Sequence, residues 1–186
     1  MNASVEGPEK VGQPTSHWTQ PFLRVAIVIA VLVTGIAADQ LAKHWALQNL
    51  ANGQSYEIFP FLSLSLAFNP GAAFGIGGEA GPWFAVGILV ILLALSGWIV
   101  FKLGRGDAMP SIVTLTIVAA GGWGNMVDRI TRANDGPLSG EVVDYFATEG
   151  FAIFNLADVF AVVGVTLWAA IYVRSSRDDA PPPSQA

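Results

Sequence analysis

The chain has 186 residues, 53% of them hydrophobic and only 12% charged, about half the charged share of a water-soluble domain, which points to a membrane. A net charge of −5 without any basic stripe argues against nucleic acid as a partner. With no cysteine and two widely separated histidines, His17 and His44, disulfides, thiolate metal sites and cysteine nucleophiles are excluded. A histidine-based metal centre or a serine–histidine triad has almost no material, so any chemistry must come from carboxylates, amides and a few cations.

Residues 1–20 are polar, rich in Gly, Pro, Ser and Thr, and lack a hydrophobic period, as expected of a disordered tail. Residues 22–42 hold an apolar run long enough to cross a hydrocarbon core of about 30 Å, which takes about 20 helical residues. A secretory signal cleaved near Ala37–Ala38 is the rival reading, but the long polar leader and the motif DQLAK at the far end favour a retained span. Asp39 and Lys43 in that motif are spaced i,i+4 and share one helical face.

Between 44 and 80 apolar side chains alternate: Tyr56 and Ile58, then Leu62, Leu64, Leu66 and Phe68. A period of two predicts short strands outside the bilayer core. The small-residue stretch AFNPGAAFGIGG follows, in which Asn69 offers both donors and acceptors. Residues 82–103 predict a second span, with Trp83 and Trp98 near its interfaces. Residues 110–128 predict a third, apolar until Asn125 and Asp128. A polar loop is expected over 130–149, a fourth span over 151–173, and a solvated tail over 174–186.

In this four-span arrangement Lys10, Arg24, Lys102, Arg105, Arg174 and Arg177 fall on one side, and Lys43, Arg129 and Arg132 on the other. The excess of basic residues places both termini in the cytoplasm. Asp39, Asn69, Asn125, Asp128, Arg129, Asp144, Asn155 and Asp158 then converge near the outer face. A helix beginning near 151 would set Asp158 about 10 Å into its span at 1.5 Å per residue.

Ionisable groups at membrane depth are costly and survive only when paired, facing water, or used. Asp39 with Lys43, and Asp128 with a cation from another segment, suit ion pairing. The asparagines suit helix capping or holding the aspartates. Asp144 and Asp158 suit chemistry: two adjacent carboxylates share one proton, so one activates water while the other donates to a carbonyl oxygen. A proton-coupled transporter using the same carboxylates would need polar residues through the full bilayer depth, and the inner halves of the spans look dry. A non-catalytic scaffold is the third reading, and would tolerate neutral aspartates.

Five motifs stand in order on these segments: DQLAK at Asp39–Lys43, NPGAAFG at Asn69–Gly75, GGWGNMVDR at Gly121–Arg129, GEVVDYF at Gly140–Phe146 and FNLAD at Phe154–Asp158. In these, over residues 22–173, the chain resembles the lipoprotein signal peptidases (signal peptidase II) of the bacterial inner membrane. The resemblance implies an all-α membrane protein, a four-helix bundle with a small extracytoplasmic β-cradle, spanning 21–173. It implies cleavage of diacylglyceryl-modified prolipoproteins before the lipidated cysteine, by a dyad of Asp144 and Asp158, without cofactor or metal. Asn69, Asn125 and Arg129 match positions that contact substrate or the antibiotic globomycin. Asp39, Lys43, Asp128 and Asn155 match supporting positions. The expected partners are the lipidated substrate and membrane lipid, with the enzyme a monomer. The connection ITRANDGPLS, after Arg129, is longer than the family's usual link.

Overall fold

The computed structural model of the protein describes residues 19–71, 82–150 and 152–178. The tails read at 1–20 and 174–186, and residues 72–80 of the small-residue stretch, lie wholly or largely outside them. The elements run α1 (Thr19–Asn49), β1 (Ser55–Phe59), β2 (Leu62–Asn69), α2 (Pro82–Arg105), α3 (Met109–Thr131), β3 (Val142–Thr148), β4 (Ile153–Phe154) and α4 (Leu156–Asp178).

Among the described residues three helices are long and apolar enough to cross a membrane, within Gln20–Asn49, Trp83–Arg105 and Leu156–Arg177. Their outward faces carry large apolar side chains, such as Val33, Ile91, Val100 and Val162, each more than half exposed. Inside, the pattern inverts: Asp39, Lys43, Asp128 and Asn155 are fully buried. Greasy outside and polar inside is the pattern of a bundle solvated by lipid.

Helix α3 is the axial element and packs against α1, α2 and α4. Because its neighbours cover it, it can spend its faces on Gly, Ala, Thr and polar residues rather than on lipid-facing leucines. Ile112, Leu115 and Ala119 of α3 form the buried core with Ile99 of α2. The α3–α4 crossing depends on small residues: a Cβ on Gly164 would lie 2.7 Å from Val118 Cγ2 and 2.9 Å from Val118 N. Where lipid tails are as apolar as leucine, such van der Waals fit supplies most of the association energy.

At one end of the bundle Arg24 of α1 donates to the carbonyls of Gly106 (3.4 Å) and Asp107, while Lys102 pairs with the Asp107 carboxylate at 2.6 Å. The start of α1 is thereby held against the α2–α3 turn. At the opposite end a four-stranded antiparallel sheet, ordered β1-β2-β3-β4, covers the last turns of α1. Its buried face meets the helix through Ala46, Leu50 and Tyr145. Burying a side chain the size of Leu50 is worth about 1.5–3 kcal/mol where water is the alternative.

The alternation at 55–69 gives the expected short strands, which pair with each other as an antiparallel hairpin. Three local expectations fail. Helix α1 continues to Asn49, beyond the expected span. The expected polar loop over 130–149 contains strand β3, in which Val142, Val143, Asp144 and Tyr145 are all buried. The expected fourth span from 151 begins instead at Leu156, after the short strand β4. Asp158 is therefore in the first turn of α4, not two turns inside it.

Candidate active site

Asp144 comes from the sheet. It pairs with Ala67 of β2, while Asn69 pairs with Val142. Ala67 and Asn69, two residues apart, share a face with Asp144, so the Asn69 side chain reaches it diagonally. Its amide donates to Asp144 Oδ2 at 3.0 Å. The register slips between Leu64 and Ala67, where Ser65 and Leu66 stand opposite Tyr145 alone. This bulge lies one residue from Asp144, a usual place for a device that re-aims a side chain.

Asp158 comes from the start of α4, where free N–H groups must find partners. Asn155 is the N-cap: its Oδ1 accepts from Asp158 N at 3.1 Å, and its own N–H donates to Asp158 Oδ2 at 3.1 Å. This is a capping box with aspartate in the third position. Ala157 N donates to Asp39 Oδ1 at 3.0 Å, and the Tyr145 hydroxyl is hydrogen-bonded to the Leu156 backbone. The turn carrying Asp158 is thus fixed from α1, β3 and its own cap.

Asn155 also joins the two carboxylates. Its Nδ2 donates to Asp144 Oδ1 at 2.6 Å and to Asn125 Oδ1 at 3.0 Å. Asn125 Nδ2 donates to Asp158 Oδ1 at 2.9 Å. All four carboxylate oxygens of Asp144 and Asp158 therefore accept a hydrogen bond.

Behind them lies an ion cluster. Lys43 Nζ contacts Asp39 Oδ2 at 2.8 Å, Asp128 Oδ2 at 2.9 Å and Asn125 Oδ1 at 2.7 Å. Asp128 Oδ2 accepts from Val143 N at 3.1 Å, tying α3 to the strand residue before Asp144. Arg132 Nε approaches Asp128 Oδ1 at 3.4 Å. Gly124 is required here, since a Cβ on it would lie 2.7 Å from Asp39 Oδ2. Arg129, almost fully buried, donates to the carbonyls of Pro70 (3.3 Å) and Gly71. It holds the turn after Asn69, whose Oδ1 accepts from Gly71 N at 2.9 Å.

These groups surround a cavity of about 140 Å³ lined by Asn69, Asn125, Arg129, Asp144 and Asp158, with Ile88, Met126 and Val142 as apolar walls. The cavity is large enough to admit water beside both carboxylates. Asp144 is 2% exposed. Burial, with the nearby Asp158 charge adding to it, pushes its carboxyl from 3.8 up to about 6, against the hydrogen bonds from Asn69 and Asn155. A carboxyl so placed keeps its proton to a higher pH than a free carboxylate does. Burial likewise raises the Tyr145 hydroxyl to about 12, so it stays neutral.

All nine residues singled out from the sequence lie in this network or line this cavity, although they come from three helices and two strands far apart in the chain. Arg129 meets two main-chain carbonyls, which sequence alone did not suggest. Three contributors escaped sequence reasoning. Gln40 bridges Asp39 Oδ2 (3.2 Å) and the Gly124 carbonyl (3.0 Å). Tyr145 secures the start of α4, and Gly124 makes room for Asp39. All three lie inside the recognised motifs, but nothing local in the sequence assigns a role to the Gln40 amide, the Gly124 backbone or the Tyr145 hydroxyl.

The family model for signal peptidase II matches residues 28–174. A lipoprotein signal peptidase of Bifidobacterium longum subsp. infantis is 38% identical over 77% of this chain and 77% of its own. That of Lactococcus lactis subsp. lactis is 34% identical over 78% of this chain and 92% of its own. Two solved bacterial membrane enzymes share the fold. One, 26% identical, covers 87% of this chain and 96% of its own with a TM-score of 0.68; the other, 29% identical, covers 81% and 94% with a TM-score of 0.65. With three helices among the described residues long and apolar enough to cross a membrane, and one buried carboxylate network, the chain is an integral membrane enzyme that belongs to the signal peptidase II family.

Proposed function

We propose that the protein is an aspartic endopeptidase that removes the signal peptide from diacylglyceryl-modified prolipoproteins, cutting just before the lipidated cysteine. The observation that carries this reading is the Asn155 amide bridging Asp144 to the cap that holds Asp158, beside a cavity that both carboxylates line.

In the reaction one carboxylate takes a proton from water as the water oxygen bonds to the scissile carbonyl carbon. The other, protonated, donates to the carbonyl oxygen, giving a neutral gem-diol. The C–N bond then breaks, the proton taken from water passes to the departing amine, and a gem-diol proton returns to the second carboxylate. The products are a signal peptide ending in a carboxylic acid and a lipidated cysteine with a free amine. Asn69, Asn125 and Arg129 line the cavity as groups for the extended substrate backbone. Asp39, Lys43, Asp128 and Asn155 keep the carboxylates in place.

Helix α3 is read as a fourth span: its 23 residues rise about 35 Å, enough to cross the core. The basic residues Arg24, Lys102 and Arg105 gather at the end of the bundle remote from the dyad, which supports cytoplasmic termini and a site near the outer face of the bacterial inner membrane. There, a substrate already anchored by its acyl chains meets the dyad without leaving the bilayer. The enzyme is read as a monomer.

The test is a gel-shift assay on a diacylglyceryl-modified prolipoprotein, comparing the parent with Asp144→Asn and Asp158→Asn. The parent should cleave with or without EDTA, and neither variant should shift the substrate. Full cleavage by both variants would leave the aspartates structural and end this reading.

A further inference from the structure

We propose that Lys43 is a positioning residue that fixes the direction of the Asn125 amide, making Asp158 the water-activating carboxylate and leaving Asp144 as the member that carries the proton. This rests on the dyad reading and adds to it a division of labour between the two carboxylates.

An ammonium group donates three hydrogen bonds and accepts none. Lys43 Nζ has three acceptors around it, on Asp39 (2.8 Å), Asp128 (2.9 Å) and Asn125 (2.7 Å). The Asn125 atom facing it must therefore be oxygen. Its Nδ2 is left on the other side, 2.9 Å from Asp158 Oδ1. A second constraint closes the chain. Asp158 N can only donate, so the cap atom it meets is Asn155 Oδ1, and Asn155 Nδ2 is turned toward Asn125 and Asp144. Every amide in the network has one permitted orientation, and that of Asn125 is set from two sides, by the Lys43 ammonium, its one charged donor, and by Asn155 Nδ2.

The two carboxylates then differ. Asp158 receives an amide donor polarised by an ammonium one bond behind it, and hydrogen bonds in such chains strengthen one another. It also sits in the first turn of α4, where the helix dipole favours negative charge. It is half-buried and lines the cavity, so water can reach it. Asp144 is on a strand, with no such dipole, and is 2% exposed. Its upward shift to about 6, caused first by burial, agrees with this assignment.

The primary test is the charge-balanced pair Lys43→Gln/Asp128→Asn, which removes one buried positive and one buried negative charge together. Glutamine presents either end of its amide and removes the ammonium, so the Asn125 amide is held only by the neutral Asn155 donor and is no longer polarised toward Asp158. The thermal midpoint in detergent reports folding. Cleavage should show kcat lower by about 100-fold with KM within about twofold of the parent, the scale of a lost acid–base arrangement. A scaffold role alone would reduce the folded fraction instead.

A second readout addresses the two roles. In long single-turnover incubations Asp144→Asn, whose amide still donates to the carbonyl oxygen, should retain at least about tenfold more residual cleavage than Asp158→Asn. That gap should close in the charge-balanced background. Should the pair fail to fold, Asn125→Asp substitutes for it. It keeps an oxygen for Lys43 but replaces the donor facing Asp158, and the same loss in kcat is expected. Parent kcat in the folded pair or in Asn125→Asp, or equal residual rates for the two dyad variants, would overturn the assignment and leave the peptidase reading intact. A parent that fails to cleave removes both.

Discussion

Gly121 and Ala157 meet backbone to backbone: a Cβ on Gly121 would lie 2.3 Å from the Ala157 carbonyl oxygen. A main-chain atom cannot turn aside as a side chain can. Gly121→Ala should push α4 from α3 and carry Asn155 and Asp158 with it, at a cost of about 1–3 kcal/mol. The expected result is a lower thermal midpoint in detergent and reduced cleavage. Gly87→Ala is the control, because nothing lies within 4 Å of its added Cβ. It should leave both unchanged.

Asp144 makes stability depend on pH with an identifiable sign. Its carboxyl is raised from 3.8 to about 6, chiefly by burial. Between those values the folded chain holds a proton that the unfolded chain has lost, so stability falls as pH rises through this window and then levels off. At 1.36 kcal/mol per pH unit, the cost above pH 6 reaches about 3 kcal/mol. Asp144→Asn, having no charge to bury, should be more stable than the parent at pH 8, and the advantage should vanish by about pH 4. Thermal midpoints across that range decide it.

On the proposed mechanism the same group also governs activity. If the proton on Asp144 is needed, kcat/KM should fall as pH rises through about 6, since that ratio reports the free enzyme. A profile flat from pH 5 to 8 would contradict the role.

Asn155 serves two carboxylates and one helix. Asn155→Ala removes the cap, worth about 1–2 kcal/mol, and leaves Asp144 Oδ1 without its donor. Both the thermal midpoint and kcat should drop. Arg105→Ala, at an exposed side chain 3.8 Å from Asp107, should change stability by less than about 0.5 kcal/mol.

Arg129→Lys separates charge from geometry. A lysine keeps the charge, but its single ammonium cannot reproduce the planar fork that grips Pro70 and Gly71 together. The turn holding Asn69 should loosen, and steady-state kinetics should show a raised KM and a lower kcat.

The sequence was most legible where a physical constraint leaves a local mark. Period-two alternation of apolar side chains marks a strand, as in Leu62–Asn69. Costly polar residues stand out against greasy helices, which is why Asp39, Lys43, Asn125, Asp128 and Asp158 could be singled out. Strand β3 was missed because VVDY is buried on both faces, so it shows no alternation, and its partner β2 is far away in the chain. The start of α4 was misplaced because Phe151–Phe154 is as apolar as the helix it precedes, and only the reciprocal Asn155–Asp158 bonds reveal the boundary. Arg129's grip on Pro70 and Gly71 depends on tertiary contact and leaves no local pattern.

The Asn155 cap has a consequence for when the enzyme becomes active during its own synthesis. Asp158 belongs to the last helix, and the amide that steers Asp144 is that helix's cap. A chain halted before α4 docks carries the strand carboxylate without its partner or its hydrogen-bond donor. On the dyad reading, proteolytic competence therefore requires α4 to be docked, and a chain without it lacks the proposed site.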